Sequence, residues 1–186
     1  IFILNSACQA QNRKVTTGLE VLRESGFEAI KGKRVGLITN PTGVDHELRS
    51  AVDILFRAPG VKLVALYGPE HGVRGEYTAG EIIGSSVDPA TGLKVYSLYG
   101  STRKPTKAML EGIDVLVYDI QDIGSRSYTF ISTLGLAMEA AAENGIPFVV
   151  LDRPNPLGGV RMEGPPVEPG FTSFVSQYPI PYVHAM

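Results

Sequence analysis

Short apolar runs, each stopped by glycine, proline or asparagine, alternate along the chain with segments whose apolar residues recur at helical spacing. Leu19, Val21, Leu22 and Phe27 predict a first helix ending near Gly26. Val35 to Thr39 reads as a short buried strand that breaks at Asn40-Pro41-Thr42-Gly43, a turn signal. Asp45 can cap a second helix with Leu48, Ala51, Val52 and Leu55 on its apolar face, closed by Pro59-Gly60. Val61 to Tyr67 predicts the second strand. The loop that follows, from Gly68 to about Gly92, is long enough to be functional or disordered in a compact domain. Leu93 to Leu98 predicts a third strand, Thr106 to Leu110 a short helix, and Val115 to Tyr118 a fourth strand. Phe130, Leu134, Met138 and Ala141 mark a long helix that starts at Ser125 or Ser127 and closes at Asn144-Gly145. Phe148 to Leu151 predicts the fifth strand, and from Asp152 onward the chain is irregular and rich in Pro and Gly.

Strands built almost wholly of Val, Ile and Leu, alternating with helices, require a parallel sheet covered on both faces. The expected class is α/β, a Rossmann-like, doubly wound, mainly parallel sheet occupying residues 15–186.

Composition narrows the function. A formal net charge of -2 over 186 residues leaves no electrostatic footprint for nucleic acid. The single cysteine, Cys8, excludes an internal disulfide and a cysteine-based metal site. Ile1-Phe2-Ile3-Leu4 followed by Asn5-Ser6-Ala7-Cys8 reads as the tail of a secretory leader. Residues 1–14 are therefore expected to be the remnant of a signal peptide or lipoprotein tether, on a protein exported to the periplasm or cell surface. Asn5 to Cys8 forms a loose lipobox, which would lipidate Cys8 and tether the chain to a membrane. Cys8-Gln9-Ala10 would instead suit an ordinary cleavage site, and the bland alternative is a frayed apolar terminus. No run approaches the roughly 20 apolar residues of a membrane span.

The chemistry clusters where the strands end. In open α/β sheets, ligands bind outside the carboxyl ends of the strands. The first strand ends in Thr39-Asn40, and the second in Gly68-Pro69-Glu70-His71-Gly72-Val73-Arg74-Gly75. The third ends in Tyr99-Gly100, and the fourth in Asp119-Ile120-Gln121-Asp122-Ile123-Gly124-Ser125-Arg126. The fifth ends in Asp152-Arg153-Pro154-Asn155-Pro156. One such charge is usually a solvated loop residue. Acid-arginine groupings at several neighbouring termini are expected to converge on one crevice.

No G-x-G-x-x-G follows the first strand and no G-x-x-x-x-G-K-[ST] occurs, so no nucleotide cofactor is expected. Glu70, His71, Asp119 and Asp122 are candidate metal ligands by type. Adjacent Glu-His in a tight loop does not easily serve one ion, however, and His-x-His and H-E-x-x-H are both missing, so no metal is assigned. A serine hydrolase would need a G-x-S-x-G elbow, which is missing too. Acid/base work by carboxylates remains. A glycosidase needs one acid to protonate the leaving oxygen and a second group at the anomeric centre. Glu70 suits the acid if its glycine-bounded loop buries it and raises its pKa. Arginines suit an anionic substrate, because a guanidinium meets a carboxylate through two parallel hydrogen bonds.

Four segments together carry a family resemblance: Val35 to Gly43, Leu66 to Gly75, Val117 to Thr129 and Leu151 to Gly159. On these, the chain resembles the bacterial exo-β-N-acetylmuramidase family over roughly residues 15–186. The resemblance implies a Rossmann-like catalytic domain, with a smaller C-terminal domain beyond the point where this chain stops. It implies release of non-reducing-end N-acetylmuramic acid from peptidoglycan fragments, muramyl saccharides as partners, and no cofactor. Its catalytic acid maps to Glu70, beside His71, Asp119 and Asp122. The expected substrate contacts are Asn40, Arg74, Gln121, Arg126, Tyr128, Asp152, Arg153 and Asn155. A lactyl carboxylate on the sugar gives a reason for Arg74, Arg126 and Arg153 in one crevice. Its 2-acetamido group could serve as nucleophile, oriented by Asp119 or Asp122. The rival expectation is a non-catalytic module that captures muropeptides with the same loops.

Overall fold

The computed structural model describes residues 15–76 and 84–186, so the expected leader or tether, with Cys8, lies outside the described residues. Six strands form one sheet in the order β3-β4-β2-β1-β5-β6. They are β1 (Arg34–Thr39), β2 (Lys62–Gly68), β3 (Ser86–Val87), β4 (Lys94–Ser97), β5 (Val115–Asp119) and β6 (Phe148–Val150). The helices are α1 (Gly18–Glu24), α2 (Ala51–Phe56) and α3 (Phe130–Glu143). All neighbours pair in parallel except β3, which runs antiparallel to β4 at one edge. From β1 the chain builds outward through β2 and β4, then returns to add β5 and β6 on the other side. The switch point therefore lies between β1 and β5, whose register pairs Thr39 with Asp119. This is the expected doubly wound α/β class.

The strand sequences explain the layering. Successive residues point to opposite faces, and here both faces are apolar. Leu37, Leu66 and Val117 pack with Leu19 and Leu22 of α1 and Val52 and Leu55 of α2. Their neighbours Ile38, Tyr67 and Leu116 pack on the other face with Ala137, Ala140 and Ala141 of α3. Gly36 in β1 leaves room for large partners: a Cβ there would come within 2.9 Å of both the Tyr67 ring and the Leu116 side chain. Tyr67 closes that layer by donating its hydroxyl to the Met109 carbonyl at 2.6 Å.

Several boundaries differ from the sequence reading. Asp45 does not cap the second helix. Its Oδ2 binds Arg23 at 2.9 Å and Arg49 at 2.6 Å, and its Oδ1 accepts the backbone N–H groups of Glu47 and Arg49. That loop leaves Leu48 80% exposed, and α2 starts later, capped by Ser50 on the Val52 N–H. The first helix ends at Glu24 with Val21 exposed. Residues 106–110 form turns instead of a helix. The long helix begins at Phe130, because the preceding backbone is drawn away: the Arg126 N–H donates to the Tyr182 carbonyl at 2.8 Å. The two-residue β3, inside the long loop, is too short to carry a periodic signal.

Candidate active site

The turn after β1 is stitched to the segment after β5 across the switch point. Asn40 Oδ1 accepts from the Thr42 N–H at 3.0 Å and from the Thr42 hydroxyl at 2.6 Å. The same hydroxyl oxygen accepts the Gln121 N–H at 2.9 Å, and Thr39 Oγ1 donates to the Asp119 carbonyl at 2.7 Å. Gln121 in turn donates through Nε2 to the carbonyls of Asp122 and Pro154. Gly43 permits this closure, since a Cβ there would lie 2.1 Å from Thr39 Oγ1 and 2.8 Å from the Asp119 carbonyl oxygen. Asn40 and Gln121 thus tie the turn after β1 to the segment after β5 across the switch point.

The loop after β2 carries the acid and the imidazole. Glu70 is half-buried, and His71 is exposed with φ +74°, a left-handed conformation that non-glycine residues rarely adopt. The Tyr99 phenol is hydrogen-bonded to Glu70, which raises the Tyr99 pKa above its ordinary value. Glu70 and His71 line one cleft together with Tyr128 and the entry to α3. Strained backbone of this kind clusters at functional sites.

Arg74, four residues further on, has other partners. Its Nε donates to Asp88 at 2.5 Å and its Nη2 to Asp53 at 2.8 Å. The carboxylates of Asp88, then Asp53, hold its pKa well above the usual arginine value. Arg74 therefore ties the Glu70 loop to α2 and to the segment after β3.

Asp119, at the end of β5, is fully buried and bound by Arg153 at 2.6 Å and 3.0 Å through both oxygens. Burial pushes its carboxyl up and Arg153 opposes that shift. Arg153 also donates to the Val44 carbonyl at 2.9 Å. Arg126 donates through Nη1 to the carbonyls of Pro165 and Ile180, at 2.9 Å and 2.5 Å. Among the described residues it is the only one of the three arginines without a carboxylate partner. Arg74 and Arg153 are thus each paired with nearby carboxylates. Asn155 is likewise occupied, donating to the carbonyls of His184 and Met186 and accepting from the Leu157 N–H.

Asp122 stands differently. Its Oδ1 accepts the Gly124 N–H at 2.7 Å, and it lines a cavity beyond the ends of β5 and β6 with Asp152, Arg153 and His184. His184 was not singled out in the sequence. Its only sign there was a polar residue inside the apolar stretch Tyr182-Val183-His184-Ala185-Met186.

The architecture and its ligand edge are those of a Rossmann-like domain presenting carboxylate, imidazole and guanidinium groups from strand-end loops. Residues 35–186 match the family described as Exo-beta-N-acetylmuramidase NamZ, N-terminal, and the chain belongs to that family. It is 58% identical over 177 residues to the Peptidoglycan beta-N-acetylmuramidase NamZ of Bacillus subtilis (strain 168), spanning 95% of this chain and 43% of that protein. Two solved structures of DUF1343 family proteins from Bacteroides fragilis NCTC 9343 share the fold. One is 64% identical with a TM-score of 0.85, covering 91% of this chain and 42% of the other. The second is 35% identical with a TM-score of 0.78, covering 93% and 44%. The chain spans less than half the length of each of these relatives.

Proposed function

We propose that this chain is the acid-bearing part of an exported glycoside hydrolase that releases non-reducing-end N-acetylmuramic acid from peptidoglycan fragments. The observation that carries this reading is Glu70, half-buried at the carboxyl end of β2, held by the Tyr99 phenol and sharing a cleft with His71 and Tyr128. Its 58% identity to a peptidoglycan muramidase over nearly the whole chain supports the substrate class.

Glu70 protonates the glycosidic oxygen as the bond to the sugar breaks. Tyr99 keeps the carboxyl aimed. The 2-acetamido oxygen attacks the anomeric carbon, as in other substrate-assisted glycosidases. Water then opens that intermediate and gives one of its protons to Glu70, which restores the acid, with His71 adjacent as a second proton carrier. Of the two carboxylates considered for orienting the acetamide, Asp119 is consumed by Arg153, which leaves Asp122. Arg126 is the guanidinium assigned to the lactyl carboxylate.

The test is Glu70→Gln in the full-length protein, assayed on a muramide with a poor leaving group. A general acid contributes roughly 10²–10⁴-fold, and a loss of that size is expected. Near-normal turnover sinks the assignment. Saccharide binding by calorimetry with no sugar released by the unmodified protein favours a capture module instead.

A further inference from the structure

Arg126 stands on the strand-end segment after β5, yet residues much later in the chain set its position. Its backbone N–H donates to the Tyr182 carbonyl at 2.8 Å, and its Nη1 donates to the Pro165 and Ile180 carbonyls at 2.9 Å and 2.5 Å. Those later residues are themselves fastened. Val183 and Glu163 exchange both backbone hydrogen bonds, at 2.8 Å and 3.1 Å, and the His184 N–H donates to the Gly124 carbonyl at 3.0 Å. Gly164, with φ +80°, makes room for Tyr182, since a Cβ there would come within 2.9 Å of the Tyr182 Cβ. Tyr182 closes the enclosure. Its ring centre lies 5.8 Å from the Arg126 guanidinium carbon, within the range of a cation–π contact. Its hydroxyl donates to Ser127 Oγ at 3.0 Å, and Ser127 lines the cleft that holds Glu70 and His71.

Tyr182 is 46% exposed, so burial does not fix its side chain; the contacts at its ring and its hydroxyl do. Together they span from Arg126 to the wall of the Glu70 cleft. A guanidinium carries five N–H donors in one plane. The two on Nη1 are engaged by carbonyls, and among the described residues the Nε–Nη2 edge has no hydrogen bond. That edge can meet a carboxylate through two parallel bonds. A long side chain that must be ordered as the ligand binds weakens binding by roughly 2–12-fold, and one already ordered does not. We propose that Tyr182 is a positioning residue, whose ring and hydroxyl keep the Arg126 guanidinium ordered beside the Glu70 cleft before an anionic sugar arrives. That the anion is a lactyl carboxylate rests on the muramidase reading above, whereas the ordering of Arg126 rests on the contacts of Tyr182 alone.

The experiment joins side-chain NMR and paired kinetics on the full-length protein. The Arg126 Nε–H signal is assigned by its loss in Arg126→Met, and its order parameter is measured in wild type, Tyr182→Phe and Tyr182→Leu. Order is expected to fall in Tyr182→Leu, which loses ring and hydroxyl, and to be intermediate in Tyr182→Phe, which keeps the ring. KM for a chromogenic muramide should rise roughly 2–12-fold in Tyr182→Leu, with the muramide-to-glucosaminide ratio of kcat/KM falling by the same factor. Combining Tyr182→Leu with Arg126→Met should give the ratio of Arg126→Met alone, because the effect passes through the guanidinium. Unchanged Arg126 order in Tyr182→Leu overturns the proposal. So does an equal loss toward both sugars in Tyr182→Leu while Arg126→Met separates them, which marks a general structural role. If Tyr182→Leu does not fold, Tyr182→Phe decides: Arg126 order equal to that of wild type overturns the proposal. An unchanged ratio in Arg126→Met, with Arg126 order still lowered in the Tyr182 variants, removes the lactyl reading and leaves the positioning role standing.

Discussion

Arg153 lies bidentate across Asp119, with Nε to Oδ1 at 2.6 Å and Nη2 to Oδ2 at 3.0 Å, and the two side chains are only 6% and 0% exposed. A sequence reader sees an arginine at a strand end and assigns it to the substrate. The geometry makes it the partner of a carboxylate that burial would otherwise penalise. Arg153→Met should cost about 3–5 kcal/mol of unfolding free energy by leaving that charge unpaired. Removing both charges, as in Asp119→Leu with Arg153→Met, should cost less. Urea unfolding of the three variants checks the order, and equal stability of wild type and Arg153→Met would contradict it.

Arg126 is expected to discriminate between substrates where Arg74 does not. Arg126→Met should lower turnover of a muramide relative to the matching glucosaminide by more than the 10–200-fold that an apolar contact yields. Arg74→Met loses its ties to Asp88 and Asp53, so it should lower activity toward both sugars together and leave their ratio unchanged. Paired kinetics on the two substrates separate these outcomes. An unchanged ratio in Arg126→Met removes that residue from lactyl recognition.

His71 holds a left-handed backbone that costs a non-glycine residue roughly 1–2 kcal/mol. His71→Gly should therefore be more stable than His71→Ala by about 1 kcal/mol, although both lose the imidazole. Thermal unfolding of the two variants side by side is the measurement. Equal melting temperatures would mean that the loop relaxes when the ring is removed.

Stability should fall in acid through two carboxylates around α1. The Thr17 backbone N–H, then the His46 ring, hold Glu20 down at about 2. Burial pushes Asp45 up, but the Arg49 side chain and the N–H groups of Arg49 and Glu47 outweigh it and bring Asp45 to about 2. In the unfolded chain these groups titrate near 4. Their folded pKa values are depressed, so their contribution is complete above about pH 4 and is lost as the pH falls toward about 2. Melting temperature should drop across that window. Glu20→Gln, which preserves the capping pair with Thr17, should show a shallower drop than wild type. Parallel acid profiles would exclude Glu20 as a contributor.

The alternation of apolar strands and helices, and with it the parallel sheet, was legible from the chain because periodicity is local. Every parallel strand could be placed within a residue or two, since the central strands β1 and β5 bury both faces and read as continuous apolar runs. The Glu70-His71 loop was legible for the same reason: glycines and a proline bound it in the sequence itself. Other features depended on residues far apart in the chain. Asp45 reads as a helix cap until Arg23 and Arg49 reach it. Arg153 reads as a substrate arginine until Asp119, on a neighbouring strand, closes on it. His184 reads as an apolar-tail residue until the fold lays it 3.4 Å from Asp122. Residue type and spacing determine which groups stand at the strand ends. Only packing decides which charges neutralise one another and which polar groups are buried, because a long-range salt bridge or a buried polar contact is a relation between segments that the sequence holds far apart.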